Sequence, residues 1–366
     1  MSLYWHRAAY LKHISPLEAY PGLEAWISAF RAFPRMQSDR NGIFRPPLKT
    51  HLDPGSKIPN PDDYPERTFA ECCALRATEI LECAEAQHKP IYIMFSGGID
   101  STAVVSAFLQ NFSLSRLNDR IKIVTSTESW IENPNFIRTY LIGRFEFISP
   151  HEANHFYDGR ALIVTGDPND YYIGRDQDDC MRALAATPEY AGDTYSIDVL
   201  LAYLRVNGVP ETHARIWADI LDQDRRRAPT KITTFSEMLW WARFNWTWQH
   251  IIFQSLALMP LNAPRIKSIG EYYDRVHHFF GSPEFQVWGM MMIKDRSSRK
   301  PDFRKYILDF THDDDWVRHK GKFFSLRPLL QGRKLAIGFD EQFNPLYTPE
   351  ELAKHYDPKN DFASVR

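Results

Sequence analysis

Apolar positions along this chain follow two rhythms. From Thr68 to Gln87, Cys73, Ala77, Ile80, Leu81 and Ala84 fall on one helical stripe, and Glu71, Arg76, Glu79 and Glu82 lie mostly elsewhere. That spacing predicts a helix. Ile91 to Phe95 follows at once as an uncharged, β-prone run. After the glycine pair Gly97 and Gly98, Ala103 to Leu109 reads as a helix of small residues. Arg120 to Thr125, Phe145 to Ile148 and Ala161 to Thr165 predict three more strands, the last almost wholly apolar, as buried parallel strands are. Strands separated by helix-length connections predict an α/β fold, a parallel sheet with flanking helices.

Beyond about residue 188 the strand signals fade. Thr234-Phe-Ser-Glu237 fits a capping box. Leu239, Trp240, Phe244, Trp248, Ile251 and Ile252 then recur at helical spacing, which favours core packing over a base-stacking platform. Residues 284–293, with Val287, Trp288 and three methionines, predict another buried helix. Four stretches follow: an N-terminal extension over 1–65, an α/β core over 66–187, a mostly helical part over 188–310, and an irregular C-terminal extension over 311–366. The first is rich in proline (Pro34, Pro46, Pro47, Pro54, Pro59, Pro61, Pro65), which interrupts long elements. Between Arg31 and Lys57 it is also basic: Arg31, Arg35, Arg40, Arg45, Lys49 and Lys57 face only Asp39 and Asp53. It reads as a solvated wrap across the domain surface. The alternative is an arm that touches a phosphate-bearing substrate or a partner subunit.

Composition narrows the class. The chain has 366 residues, of which 44% are hydrophobic and 25% charged, as in globular proteins. Its net charge of −2 does not indicate a nucleic-acid partner, which would need a local basic patch. No apolar run approaches the ~18 residues of a membrane span, and Met1-Ser-Leu-Tyr-Trp-His does not read as a signal peptide. Cys72, Cys73, Cys83 and Cys180 form no CxxC pair and no zinc spacing, so the expected setting is the reducing cytoplasm, with no membrane partner.

Two strand-to-loop junctions carry candidate chemistry. In Ser96-Gly97-Gly98-Ile99-Asp100-Ser101 the glycines permit a sharp turn and leave no Cβ to block an incoming group. Bare amides at the following helix N-terminus attract anions, phosphate above all. No Gly-Lys-Ser/Thr follows, so this is not a Walker loop, and the third glycine of a dinucleotide fingerprint is missing. The second junction is Thr165-Gly166-Asp167-Pro168-Asn169-Asp170-Tyr171-Tyr172-Ile173-Gly174, with two acids three residues apart. Ligands of open parallel sheets bind outside the carboxyl ends of the strands. Both junctions are expected at that edge, one bringing amides and the other acids able to hold Mg2+ or take a proton.

The first junction resembles the PP-loop of the ATP pyrophosphatase superfamily (adenine nucleotide alpha-hydrolase-like proteins). The second resembles the Gly-Glu-Gly-Ser-Asp-Glu-Leu-Phe-Gly-Gly signature of the asparagine synthetase synthetase domain, with Pro168 for a glycine and Tyr171 for the second acid. Ser282-Pro-Glu-Phe-Gln-Val-Trp288 and Lys300-Pro-Asp-Phe-Arg-Lys305-Tyr-Ile-Leu308 loosely resemble later segments of that domain, with Asp309 where arginine is expected. The resemblance spans roughly residues 68–310. It implies an ATP-dependent, AMP-forming ligase that adenylates a carboxylate and transfers it to an amine or ammonia. By the same resemblance Ser96, Gly97, Gly98 and Ser101 cradle phosphates, with Val124, Thr125, Thr165 and Gly166 completing the ATP site. Asp100 and Asp170 hold Mg2+, Asp167 is the base that deprotonates the amine, and Lys305 meets the departing pyrophosphate. The bland alternatives are an ordinary strand-turn-helix corner, an Asp-rich turn and an exposed helix lysine.

That family carries a glutaminase domain with a cysteine directly after the initiator Met. Here Ser2 follows Met1, which implies free ammonia, an amine substrate or a separate amidotransferase as nitrogen source. A homo-oligomer is the other protein partner left open. Two rival readings stand beside this one: a PP-loop enzyme that modifies a nucleotide, DNA or RNA base through an adenylated intermediate, and a non-catalytic ATP-binding regulatory module. The cysteine-dependent versions of the first lack their residues, since no cysteine follows Cys180. His312-Asp313-Asp314-Asp315 with His319 has metal-ligand residue types without ligand spacing and reads as a solvated loop. His319-Lys320-Gly321-Lys322 could close over phosphates.

Overall fold

Short β-prone runs close into a sheet in the computed structural model, which describes residues 4–5, 21–29, 31–33, 36, 39–44, 57–150, 158–168, 194–248, 250, 266, 268–292, 301–320, 338–340, 344–348, 350–351 and 354. The strands, in chain order, are β1 (Tyr4–Trp5), β2 (Ile91–Met94), β3 (Ile121–Val124), β4 (Glu146–Ile148), β5 (Leu162–Thr165), β6 (Val276–His278), β7 (Gly338–Phe339) and β8 (Pro345–Leu346). Five of them form a parallel sheet in the order β4-β3-β2-β5-β6. Ile91 of β2 pairs with Ile121 on one side and Leu162 on the other. The four strands expected over residues 91–165 are present, each within a residue or so of its expected bounds. The chain runs outward from β2 to β4, then returns to place β5 on the other side of β2. The β2/β5 boundary is therefore the point where strand order reverses, and crevices for ligands open at such points.

Helices cover this sheet. Phe69–Ala86 starts with a capping box in which the Thr68 hydroxyl accepts from Glu71 N at 3.3 Å and the Glu71 carboxylate accepts from Thr68 N at 2.7 Å. Its expected stripe is buried: Cys73, Ala77, Ile80, Leu81 and Ala84 are all fully covered. Burying one such Ile or Leu stabilises the fold by about 1.5–3 kcal/mol. The helix Ile99–Asn111 packs between it and the helix Pro301–Thr311. Ala103, Ser106 and Ala107 leave little bulk on that central helix, and every residue from Ser101 to Phe108 is buried.

The mostly helical part is as expected in Ile197–Val206, Glu211–Arg226, Phe235–Trp246 and Pro283–Met291. Thr234 and Glu237 form their capping box. Trp240, Trp241 and Trp246 are fully buried, so this aromatic run is core. One strand there was not expected. β6 is three residues long, includes two histidines and begins where the helix Ile269–Arg275 ends, which leaves no periodicity to read.

The basic N-terminal stretch is also a correction. Pro21–Ala29 is a helix packed on Glu211–Arg226, with Trp26 buried and Trp217 Nε1 donating to the Ala25 carbonyl at 2.7 Å. Asp39 and Arg40 are buried too. The Arg40 guanidinium lies 4.3 Å from the Trp248 ring centroid and donates to Gln286 Oε1 at 2.6 Å. Arg40 is thus part of the core, because it finds an aromatic face and carbonyl acceptors that replace water, whereas Arg31 and Lys57 are exposed, as a solvated wrap requires. A small antiparallel sheet, β1-β7-β8, joins the two ends of the chain. No helix among the described residues is long and apolar enough to cross a membrane.

Candidate functional site

β2 delivers the chain to the Ser96–Ser101 turn at the switch point. Gly97 has φ +75, and a Cβ there would lie 2.5 Å from the Ser129 carbonyl oxygen and 2.9 Å from Glu132 Cβ. Only glycine meets both the conformation and the space. The turn is braced from inside. Ser101 Oγ accepts from Ser96 N at 3.2 Å, lies 3.1 Å from Ser96 Oγ and donates to the Gly98 carbonyl at 3.2 Å, while Gly98 N donates to Ser96 Oγ at 3.2 Å. Ser101 is thus a buried strut of the turn. Gly98 is the N-cap of the helix Ile99–Asn111 and supplies no side chain to its first amides. Such an end is suited to an anion.

β5 brings the second junction alongside. A Cβ on Gly166 would stand 3.2 Å from Asp100 Cβ and 3.3 Å from Ser101 N. The two predicted loops therefore touch, and glycine at 166 is what lets them. Asp167 N donates to Thr165 Oγ1 at 3.4 Å, and the Asp167–Pro168 peptide is cis. Thr165 Oγ1 lies 2.7 Å from His278 Nδ1, and His278 Nε2 lies 2.8 Å from the Tyr272 hydroxyl. Burial, with Arg76 and His277 nearby, holds His278 down to about 3, so its ring is neutral at pH 7. His278 was not singled out in the sequence, because the strand that carries it was not.

Val124 ends β3 and is buried, its carbonyl accepting from Phe95 N at 2.8 Å. Thr125 follows at the same rim; its amide donates to the Ile148 carbonyl at 3.1 Å, and its buried Oγ1 has no hydrogen-bond partner. An unsatisfied buried hydroxyl is costly. Asp170 lies outside the described residues, as do Asn169, Tyr171 and Gly174. Among the described residues, no three of His, Cys, Asp and Glu gather as a metal cage.

Lys305 has a partner of its own. It is exposed on the helix Pro301–Thr311 and pairs with Asp309 at 2.5 Å, the position that departs from the family pattern. The lysine found at the turn is Lys320. Its Nζ is 3.9 Å from where a Gly98 Cβ would be and forms an ion pair with Glu132, whose Oε1 is 3.6 Å from the same point. Both side chains are nearly covered, at 8% and 4% exposure. The sequence offered Lys320 only within a short basic motif, and it offered no signal for Glu132. Residues 314–319 are a helix rather than the expected loop: Asp313 caps it by accepting from Trp316 N at 3.0 Å, and Asp315 and His319 pair along it.

The arrangement places uncapped helix-start amides, a carboxylate at the same helix start, a second acidic turn and a lysine beside one another. Comparison with known proteins yields no match: no family model, no curated protein and no solved structure is significantly similar to the chain.

Proposed function

We propose that the chain is an ATP-dependent adenylating synthetase that splits ATP into AMP and pyrophosphate, activates a carboxylate and passes it to an amine or ammonia. One observation carries the reading. The Ser96–Ser101 turn and the Gly166–Asp167 turn stand in contact at the strand-order reversal, with Asp100 between them. Polyphosphate on the first turn would meet the Gly98 end of the helix and Lys320. The nucleoside would lie near the end of β3, around Val124 and Thr125.

Mg2+ suits this donor set, since it takes one or two carboxylates and completes its shell with phosphate oxygens and water. Asp100, with Asp170, would hold it, and when bound it offsets charge on pyrophosphate. The acyl-adenylate forms when a substrate carboxylate oxygen attacks the α-phosphorus. Asp167 then accepts a proton from the amine, because only the neutral amine is a nucleophile. Thr165, held by His278, fixes the turn that presents Asp167.

Incubating the protein with ATP, Mg2+ and a carboxylate library tests the reading. AMP and pyrophosphate in equal amounts support it, and ADP overturns it. Bound ATP without either product would instead favour a regulatory module. The burial of Arg40 removes one of the basic residues that a nucleic-acid reading would use.

A further inference from the structure

The Glu132–Lys320 pair is the feature of this crevice that neither sequence motif explains. Two charged side chains, each more than nine-tenths covered, stand within 4 Å of the Cβ position of Gly98. Burying charge is unfavourable unless each partner is neutralised, and in this pair each charge offsets the other. Neighbouring bonds tie the segments around it together. Trp316 Nε1 donates to the Glu132 carbonyl at 2.9 Å, and Asn135 Nδ2 donates to Asp313 Oδ2 at 3.1 Å. Next to Glu132, Asn133 Nδ2 donates to Thr102 Oγ1 in the helix that starts at the turn. Glu132 Cβ itself closes the space beside Gly97.

We propose that Glu132 is an internal competitor of the bound anion and sets the release of pyrophosphate. This rests on the reading that the Ser96–Ser101 turn takes the polyphosphate of ATP. A phosphate oxygen above Gly98 and the Glu132 carboxylate draw on the same ammonium, Lys320, from neighbouring positions. The two anions also repel each other, and more strongly because the Glu132 side chain is nearly covered. Pyrophosphate is therefore held by the amides and Lys320 against a carboxylate that reclaims the lysine as the anion leaves. A turn built only of amides and lysine would keep its most highly charged product. Glu132 keeps affinity for that product moderate, and its position acts on release rather than on bond breaking.

Magnesium pyrophosphate titrated calorimetrically into the whole chain tests this. Glu132→Gln keeps the shape and removes the charge, and it should bind on the order of tenfold tighter than wild type through slower dissociation. Lys320→Met should bind on the order of tenfold weaker, and the double variant should depart from additivity because the two side chains share one interaction. An affinity of Glu132→Gln equal to or below wild type overturns the proposal. Where Glu132→Gln does not fold, Glu132→Asp decides in its place. It keeps the charge but withdraws it by one methylene, so affinity should again rise, and an unchanged or weaker value overturns the proposal. Magnesium ATP is titrated in parallel. If wild type binds ATP but Glu132 variants bind pyrophosphate no tighter, the site reading stands and the competitor role falls. If wild type binds neither, both fall.

Discussion

Thr165 Oγ1 and His278 Nδ1 lie 2.7 Å apart, and the bond ties the last residue of β5 to the last residue of β6. His278 makes it as a neutral ring, since burial first and then Arg76 and His277 push its pKa from 6.5 to about 3. The unfolded chain takes this proton near pH 6.5 and the folded chain only near pH 3. Stability from this residue is thus present above pH 6.5 and is lost as pH falls toward 3. His278→Gln should flatten that part of the profile. Thermal melts of both proteins at pH 7.5 and pH 4.5 check it, and equal slopes would refute the assignment.

Gly97 should not tolerate a methyl group. Its φ of +75 and a 2.5 Å approach to the Ser129 carbonyl act together. Gly42 supplies the control, because its φ is +68 but nothing lies within 4 Å of its Cβ position. Denaturant unfolding should show Gly42→Ala destabilised by about 1 kcal/mol, and Gly97→Ala by about 3 kcal/mol or more. Similar losses in the two variants would mean that crowding at the turn is unimportant.

The two lysines should separate cleanly. Lys305 makes an exposed pair one helical turn away, worth about 0.3–0.5 kcal/mol. Lys305→Ala should leave the rate of ATP cleavage to pyrophosphate near the wild-type value, and Lys320→Met should lower that rate of bond breaking by on the order of a hundredfold. The reverse order would restore Lys305 to the role that the family resemblance implies.

The two acids should divide the half-reactions. Asp100→Asn should abolish pyrophosphate release. Asp167→Asn should still release pyrophosphate and hold the acyl-adenylate, but form neither free AMP nor amide product. Chromatography of nucleotides and products distinguishes these outcomes, and loss of both steps in Asp167→Asn would count against the base.

Far from the turn, Asp224 gives a pH effect of opposite sign. It accepts from Asn41 and Asn245 through Oδ1 and from Trp246 through Oδ2. Burial, and then the neighbouring Asp39, push its carboxyl up to about 7. A raised carboxyl stabilises the fold below the unfolded value near 4, and that contribution is lost as pH rises to 7. The stability of wild type relative to Asp224→Asn should therefore decline between pH 4 and pH 7.5. A constant difference in melting temperature would contradict it.

Much of this was legible in the chain because local rules suffice for it. The stripe from Cys73 to Ala84, the capping boxes at Thr68 and Thr234, and the uncharged run at β5 each declare themselves within a dozen residues. Gly97 and Gly166 were legible as well, since a glycine pair after a buried strand and a glycine before acids have few other uses. β6 was not legible, because three residues carry no period. The burial of Arg40 was not either, because basic residues among prolines are read as solvated until an aromatic face is brought to them.

The sequence by itself determined the strands, the sharp turn after β2 and the acidic turn after β5. These depend on apolar runs and backbone freedom, which are properties of neighbours in the chain. Tertiary structure alone decided that β5 lies beside β2, that Gly166 rests on Asp100, and that Lys320 rather than Lys305 stands with Glu132 at Gly98. Such pairings join residues between 34 (Gly98 and Glu132) and 222 (Gly98 and Lys320) positions apart. They are set by which faces bury together and which charges can neutralise each other out of water, and no local pattern encodes that.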